Sequence, residues 1–182
     1  MSEPSLIVVS GPPGSGKTTL AHRLATAVGC PAICRDEIKE GLVHANPGFV
    51  PGPGDELTLR ALPTFFGTVE YLLRAGVTLV AEAAFQDKVW RPHLTPLLGL
   101  GRVRIVRCFV DPDVAAERMR ARFEENSIRA AAHGDVDHLA EARERTKNFD
   151  PVALDVPTLD VNTDDGYRPG LPEIATFASA RD

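Results

Sequence analysis

Three groups of residues in this chain have the types and spacing of phosphate chemistry. The most specific is Gly11-Pro12-Pro13-Gly14-Ser15-Gly16-Lys17-Thr18, which satisfies G-x-x-x-x-G-K-T and is followed by Thr19. A phosphate held there is gripped mainly by main-chain N–H groups, so the backbone must come close to its oxygens. Gly11, Gly14 and Gly16 permit that approach by having no Cβ. In this pattern Lys17 reaches the β- and γ-phosphates and the Thr18 hydroxyl sits on Mg²⁺, which points to ATP and Mg²⁺ as ligands. The plainer reading is a glycine-rich turn that binds nothing. Against it stand eight matching positions placed between an apolar run, Ser5 to Val9, and a helical pattern from Thr18 to Val28.

The second group is carboxylates at predicted strand ends. Asp36 follows a short strand over Pro31–Cys34 and has two readings of equal weight. It is either a base that orients an attacking hydroxyl and takes its proton, or the N-cap of the helix that runs to about His44. Glu82 ends the apolar run VTLVAE. A carboxylate there is costly to bury unless it meets a cation, a water on Mg²⁺ or a hydrogen-bonded substrate, which favours a functional role. Lys39, one turn after Asp36, and Gln86, just beyond Glu82, are weaker substrate-side candidates, Lys39 having the ordinary alternative of a solvated helix lysine.

The third group is the arginine run ERMRARF. Arg118 and Arg122 are four apart and share a helix face, whereas Arg120 points about 200° away and reads as solvated. Two guanidinium forks on one face suit the charge that develops on a transferring phosphoryl group, and a lid over it spanning roughly residues 113–135. Asn162 and Thr163, in the NTDDGY that follows the last strand, could border the adenine base or simply form a connecting turn.

Positioning these groups requires alternating strands and helices. Beyond the elements above, periodicity predicts a helix over Asp55–Arg74 with its apolar face at Leu59, Leu62, Phe66, Val69 and Leu73, and a strand over Val77–Ala81. It then gives helices near Asp87–Leu98, Asp113–Glu125, Ala140–Lys147 and Leu171–Ala180, and strands near Val103–Val110 and Val156–Val161. Crossover-length connections imply an α/β fold, a three-layer parallel sheet covered by helices on both faces, with ligands at the carboxyl ends of the strands. The Pro/Gly stretch Asn46–Gly54 reads as a loop on the substrate side.

Composition narrows the partners. The 182 residues, 43% hydrophobic and 25% charged, fit a single domain over 1–182. With 25 acidic against 20 basic residues the net charge is −5, which disfavours a nucleic-acid partner, although ten of the sixteen arginines lie between Arg91 and Arg145. There is no room before the first strand for a leader and no long apolar run, so a cytoplasmic protein with no membrane partner is expected. Cys30, Cys34 and Cys108 have no metal-ligand spacing and are expected as free thiols. The five histidines show no ligand pattern either, His22 being placed on a solvent-facing helix surface. The oligomeric state is left open.

Taken together, GPPGSGKTTLA, RDEIKEGL, LVAEAAF, DPDVAAERMRAR and VNTDDGY resemble the P-loop kinases grouped near chloramphenicol phosphotransferase, zeta-toxin-like kinases and the 5′-kinase domain of phage polynucleotide kinase. The resemblance implies a five-stranded P-loop NTPase sheet in the order 2-3-1-4-5, Asp36 as the general base, and Arg118 and Arg122 as lid arginines. Where polynucleotide kinase has an arginine one turn after its base, this chain has Lys39, which counts against a polynucleotide 5′-hydroxyl acceptor. The expectation is therefore ATP-dependent transfer of a γ-phosphoryl group to the hydroxyl of a small molecule. A nucleotide-binding regulatory NTPase is the alternative from another class.

Overall fold

β1 (Ser5–Ser10) carries four consecutive apolar residues, Leu6 to Val9, none of them exposed. A strand buried on both sides needs cover above and below. The computed structural model, which describes residues 3–50, 52, 54–125 and 139–180, supplies it. In chain order the elements are β1, α1 (Lys17–Val28), β2 (Ala32–Cys34), α2 (Arg35–His44), α3 (Glu56–Arg74), β3 (Leu79–Ala83) and α4 (Asp87–Leu94). They continue with a 3₁₀ turn (Thr95–Leu97), β4 (Arg102–Phe109), α5 (Pro112–Glu125), α6 (Leu139–Lys147), β5 (Thr158–Asn162) and α7 (Leu171–Ser179). The five strands are parallel, as their spacing predicts, and lie in the order β2-β3-β1-β4-β5 that the family resemblance implies.

Alternation along the strands divides the core into two layers. Leu6, Val8, Leu79, Ala81, Val103 and Ile105 face one side, where they meet Phe65, Val69 and Leu73 of α3 and Trp90 and Leu94 of α4. Ile7, Val9, Val80, Val106 and Cys108 face the other, against Leu20, Ala21 and Leu24 of α1 and Ile174 and Ala178 of α7. Truncating a filler as large as Phe65, which is wholly buried, costs about 3–5 kcal/mol. Trp90 is likewise a packing residue, its indole N–H donating to the Ser10 hydroxyl at 3.0 Å.

Several sequence expectations need correction. α2 begins at Arg35 with Cys34 at the N-cap position, so Asp36 lies inside the first turn and is not the cap. In α3 the buried line is Leu57-Ala61-Phe65-Val69-Leu73 with Phe66, and Leu59 is 65% exposed. The small Ala61 is wholly buried on that line although its side chain adds little to a hydrophobic pattern. β3 starts two residues later than expected and runs through Glu82 to Ala83. α4 stops at Leu94 because Pro96 has no N–H to continue the α pattern. The three cysteines are free thiols, as expected. Among the described residues, no helix is long and apolar enough to cross a membrane.

Candidate active site

β1 delivers the chain into the phosphate loop at its carboxyl end, and two glycines there are required by packing, Gly14 by conformation as well. A Cβ on Gly11 would lie 2.7 Å from the Cys108 carbonyl oxygen, and one on Gly14, which has φ +80°, would lie 2.5 Å from that of Ala115. The loop closes with Ser15 N–H donating to the Pro12 carbonyl at 3.2 Å. α1 then begins with no side-chain cap on its first N–H groups, which leaves an uncapped helix N-terminus facing the loop. Pro12 is buried, Pro13 and Thr18 are half-buried, and Thr19 is exposed on the outside of α1.

The sheet register brings the second component to this loop. Glu82 of β3 stands abreast of Val9 on one side and Cys34 on the other. Alternation turns it to the α1 side, where it is completely buried. Thr18 Oγ1 donates to Glu82 Oε2 at 3.1 Å, and Lys17 Nζ lies 3.8 Å from Glu82 Oε1 and 3.5 Å from the Pro12 carbonyl. Burial, aided by the charge of Asp36, pushes the Glu82 carboxyl above its ordinary value against the opposing pull of Lys17 and Thr18. Glu82 Oε1 and the Ser15 hydroxyl are buried without a hydrogen-bond partner. Unsatisfied buried acceptors and donors of this kind, beside an ammonium and an uncapped helix N-terminus, fit a triphosphate with its Mg²⁺.

α2 carries the acceptor-side candidates. Arg35 Nη1 lies 3.1 Å from Asp36 Oδ1, which fixes the orientation of that carboxylate. Lys39 is not a solvated helix lysine: it is buried, with its ammonium 3.2 Å from Asp55 Oδ2. Asp55 caps α3 by accepting from Thr58 N–H at 2.7 Å, so the Lys39 pair ties α2 to the start of α3. Burial of Asp55 works against its charge, but the hydrogen bonds from Thr58 and Lys39 outweigh it and hold the carboxyl at about 2. Gln86 stands at the N-cap position of α4 without a capping bond, just past the carboxyl end of β3.

On the opposite side of the loop, Arg118 of α5 donates through Nη2 to the carbonyls of Thr163 and Asp164 at 2.7 and 2.9 Å. Its Nη1 comes within 3.9 Å of the point where a Cβ on Gly16 would sit. Arg118 therefore spans from the loop after β5 to the phosphate loop. Thr163 is buried, with its N–H and hydroxyl both bonded to the Phe109 carbonyl, and Asn162 closes a turn with Asp164. The side chain of Arg122, and residues 126–135 of the expected lid, lie outside the described residues. Sequence reasoning missed Asp55 as the partner of Lys39. It also missed Cys34 as a neighbour of Glu82, which only the pairing of β2 with β3 reveals.

A parallel sheet in this order, with a phosphate loop after its central strand, defines the class of P-loop nucleotide-binding proteins with the kinase-type core. The chain belongs to the family AAA_33, described as an AAA domain, whose model matches residues 6–149. Its fold is similar to that of a candidate kinase from Chloroflexus aurantiacus J-10-fl, at 24% identity and TM-score 0.83, over 97% of each chain. It is also similar to a sugar kinase from Janibacter sp. HTCC2649, at 19% identity and TM-score 0.63, over 97% of this chain and 94% of that one. Among curated proteins it is 28% identical over 167 residues to a tRNA dimethylallyltransferase from Phenylobacterium zucineum (strain HLK1), covering 83% of this chain. The chain spans about half, 48%, of that relative's length.

Proposed function

We propose that the protein is an ATP-dependent phosphotransferase acting on a hydroxyl of a small molecule. The observation that carries this reading is the meeting of Lys17, Thr18 and the wholly buried Glu82 under the phosphate loop, with the charge of Asp36 felt at Glu82 from the neighbouring strand end. When bound, Mg²⁺ and ATP supply an electrophilic phosphoryl group with its charge partly neutralised.

The chain's own residues divide the remaining work. Lys17 and the N–H groups of Gly14 to Thr18 bind phosphate oxygens. The Thr18 hydroxyl, backed by Glu82, supports the metal. Asp36, oriented by Arg35, accepts the proton of the attacking hydroxyl, and Gln86 lies on the acceptor side. Arg118 holds the nucleotide-side wall together with Asn162 and Thr163, and Arg122, one turn further along α5, is assigned to the transferring phosphoryl group. The net charge of −5 favours a small acceptor over a polynucleotide.

A screen of radiolabelled phosphoryl transfer from [γ-³²P]ATP across hydroxylated metabolites and antibiotics tests the proposal. A labelled acceptor supports it. Slow release of inorganic phosphate with no labelled acceptor is the result that a regulatory NTPase would give.

A further inference from the structure

Away from the phosphate loop, one turn further along α1 from Thr18, three different ligating atoms meet. His22 Nε2 lies 2.7 Å from Glu37 Oε1 and 3.7 Å from Cys34 Sγ, and the three atoms all fall within 4.8 Å of one another. They come from α1, the last residue of β2 and the first turn of α2. We propose that His22, Cys34 and Glu37 form a binding site for one transition-metal ion of the Zn²⁺ class.

The geometry suits such an ion. With Zn–S near 2.3 Å and Zn–N near 2.05 Å, a tetrahedral site sets sulfur and nitrogen ~3.6 Å apart, close to the separation found here. The nitrogen and oxygen are now at hydrogen-bonding distance and must open by about 0.7 Å to admit the ion, whose Zn–O distance is near 2.1 Å. The His22 and Glu37 side chains can make that adjustment, being 50% and 46% exposed. Cys34 cannot move as far. It is buried and held in the sheet by its pairing with Glu82, so the sulfur forms the fixed floor of the site and the other two ligands its rim. An ion enters from the rim, the Cys34 thiol proton leaves to solvent, and water completes the coordination. Thiolate and imidazole discriminate against Mg²⁺, which requires oxygen ligands, so the cation of the phosphate site does not compete. Occupancy would also restrain the first turn of α2, which carries Asp36. The inference does not depend on the kinase reading.

The site is tested by titrating the full chain with Co²⁺ in the presence of excess Mg²⁺ and recording the absorption spectrum. The proposal expects a thiolate-to-cobalt charge-transfer band that saturates at one ion per chain and is displaced by Zn²⁺. The band is lost in Cys34→Ser and unchanged in Cys30→Ser. His22→Ala and Glu37→Gln, both surface changes that leave the core untouched, weaken Co²⁺ binding by about tenfold or more, the scale for disturbed ligation. No thiolate band in the parent protein overturns the proposal. So does a band with an unchanged midpoint in both His22→Ala and Glu37→Gln, and this result is decisive even if Cys34→Ser does not fold.

Discussion

Thr18 Oγ1 donates to Glu82 Oε2 at 3.1 Å, joining the last residue of the phosphate loop to a carboxylate 64 positions away. The bond exists because the β1–β3 register sets Glu82 opposite Val9, the residue two before the loop. Burial at that point is tolerable only because Thr18 and Lys17 face the carboxylate. Glu82→Gln keeps the shape and removes the charge. In the proposed enzyme it raises the Mg²⁺ concentration needed for half-maximal transfer by about tenfold or more, the usual scale for a residue supporting a metal ligand. An unchanged Mg²⁺ titration would remove Glu82 from the metal site.

Lys17→Ala tests the other side of the same cluster. Loss of the ammonium leaves Glu82 buried beside no cation, removing the pull that opposes the upward push of burial on its carboxyl, so the charged form is disfavoured further. The variant is expected to fold, with Mg·ATP binding weakened and transfer abolished. Calorimetry that finds full ATP affinity in the folded variant would contradict the assignment.

The Lys39–Asp55 pair gives a prediction about stability. Asp55 has a folded value of about 2 against an ordinary 3.8, so its charge contributes stability above about pH 4, and that contribution is lost as the pH falls toward 2. The difference corresponds to about 2 kcal/mol. Asn retains much of the capping ability, so Asp55→Asn isolates the charge. Urea unfolding should show the variant less stable at pH 7, with the gap closing as the pH approaches 2. A gap that persists at pH 2 would assign the effect to packing.

How far all this could be read from the sequence depends on the length scale of each interaction. The phosphate loop is contiguous, and its glycines, lysine and threonine serve one local conformation, so it was legible residue by residue. The parallel sheet was legible because the strands read as short runs separated by crossover-length helices. Asp36 was ambiguous between cap and base, since both roles call for a short acidic side chain near a helix start. The structure resolves the local part by giving the cap position to Cys34. The partners of Lys39, and the meeting of His22, Cys34 and Glu37, depend on how α2 lies against α3 and α1, and no spacing in the sequence encodes either.

Arg118 and Arg122 are expected to separate kinetically. Two bonds of Arg118 go to main-chain carbonyls that phosphoryl transfer does not alter, so its contribution is present in the ground state. Arg118→Ala should raise the Kd for ATP by about tenfold, the scale of one or two charge-assisted hydrogen bonds, with a smaller change in kcat. Arg122→Ala should do the reverse. The same ratio of kcat loss to Kd rise in both variants would show that the two arginines act alike.

The most direct measurement is the rate of acceptor phosphorylation by Asp36→Asn beside its ATP affinity. The substitution keeps the size of the side chain and removes its basicity, in a residue that does not cap its helix. The account predicts a fall of roughly 10²-fold or more in transfer to an acceptor found in the screen, with the Kd for ATP unchanged. Transfer at the parent rate in this variant would contradict it and move the base to another group.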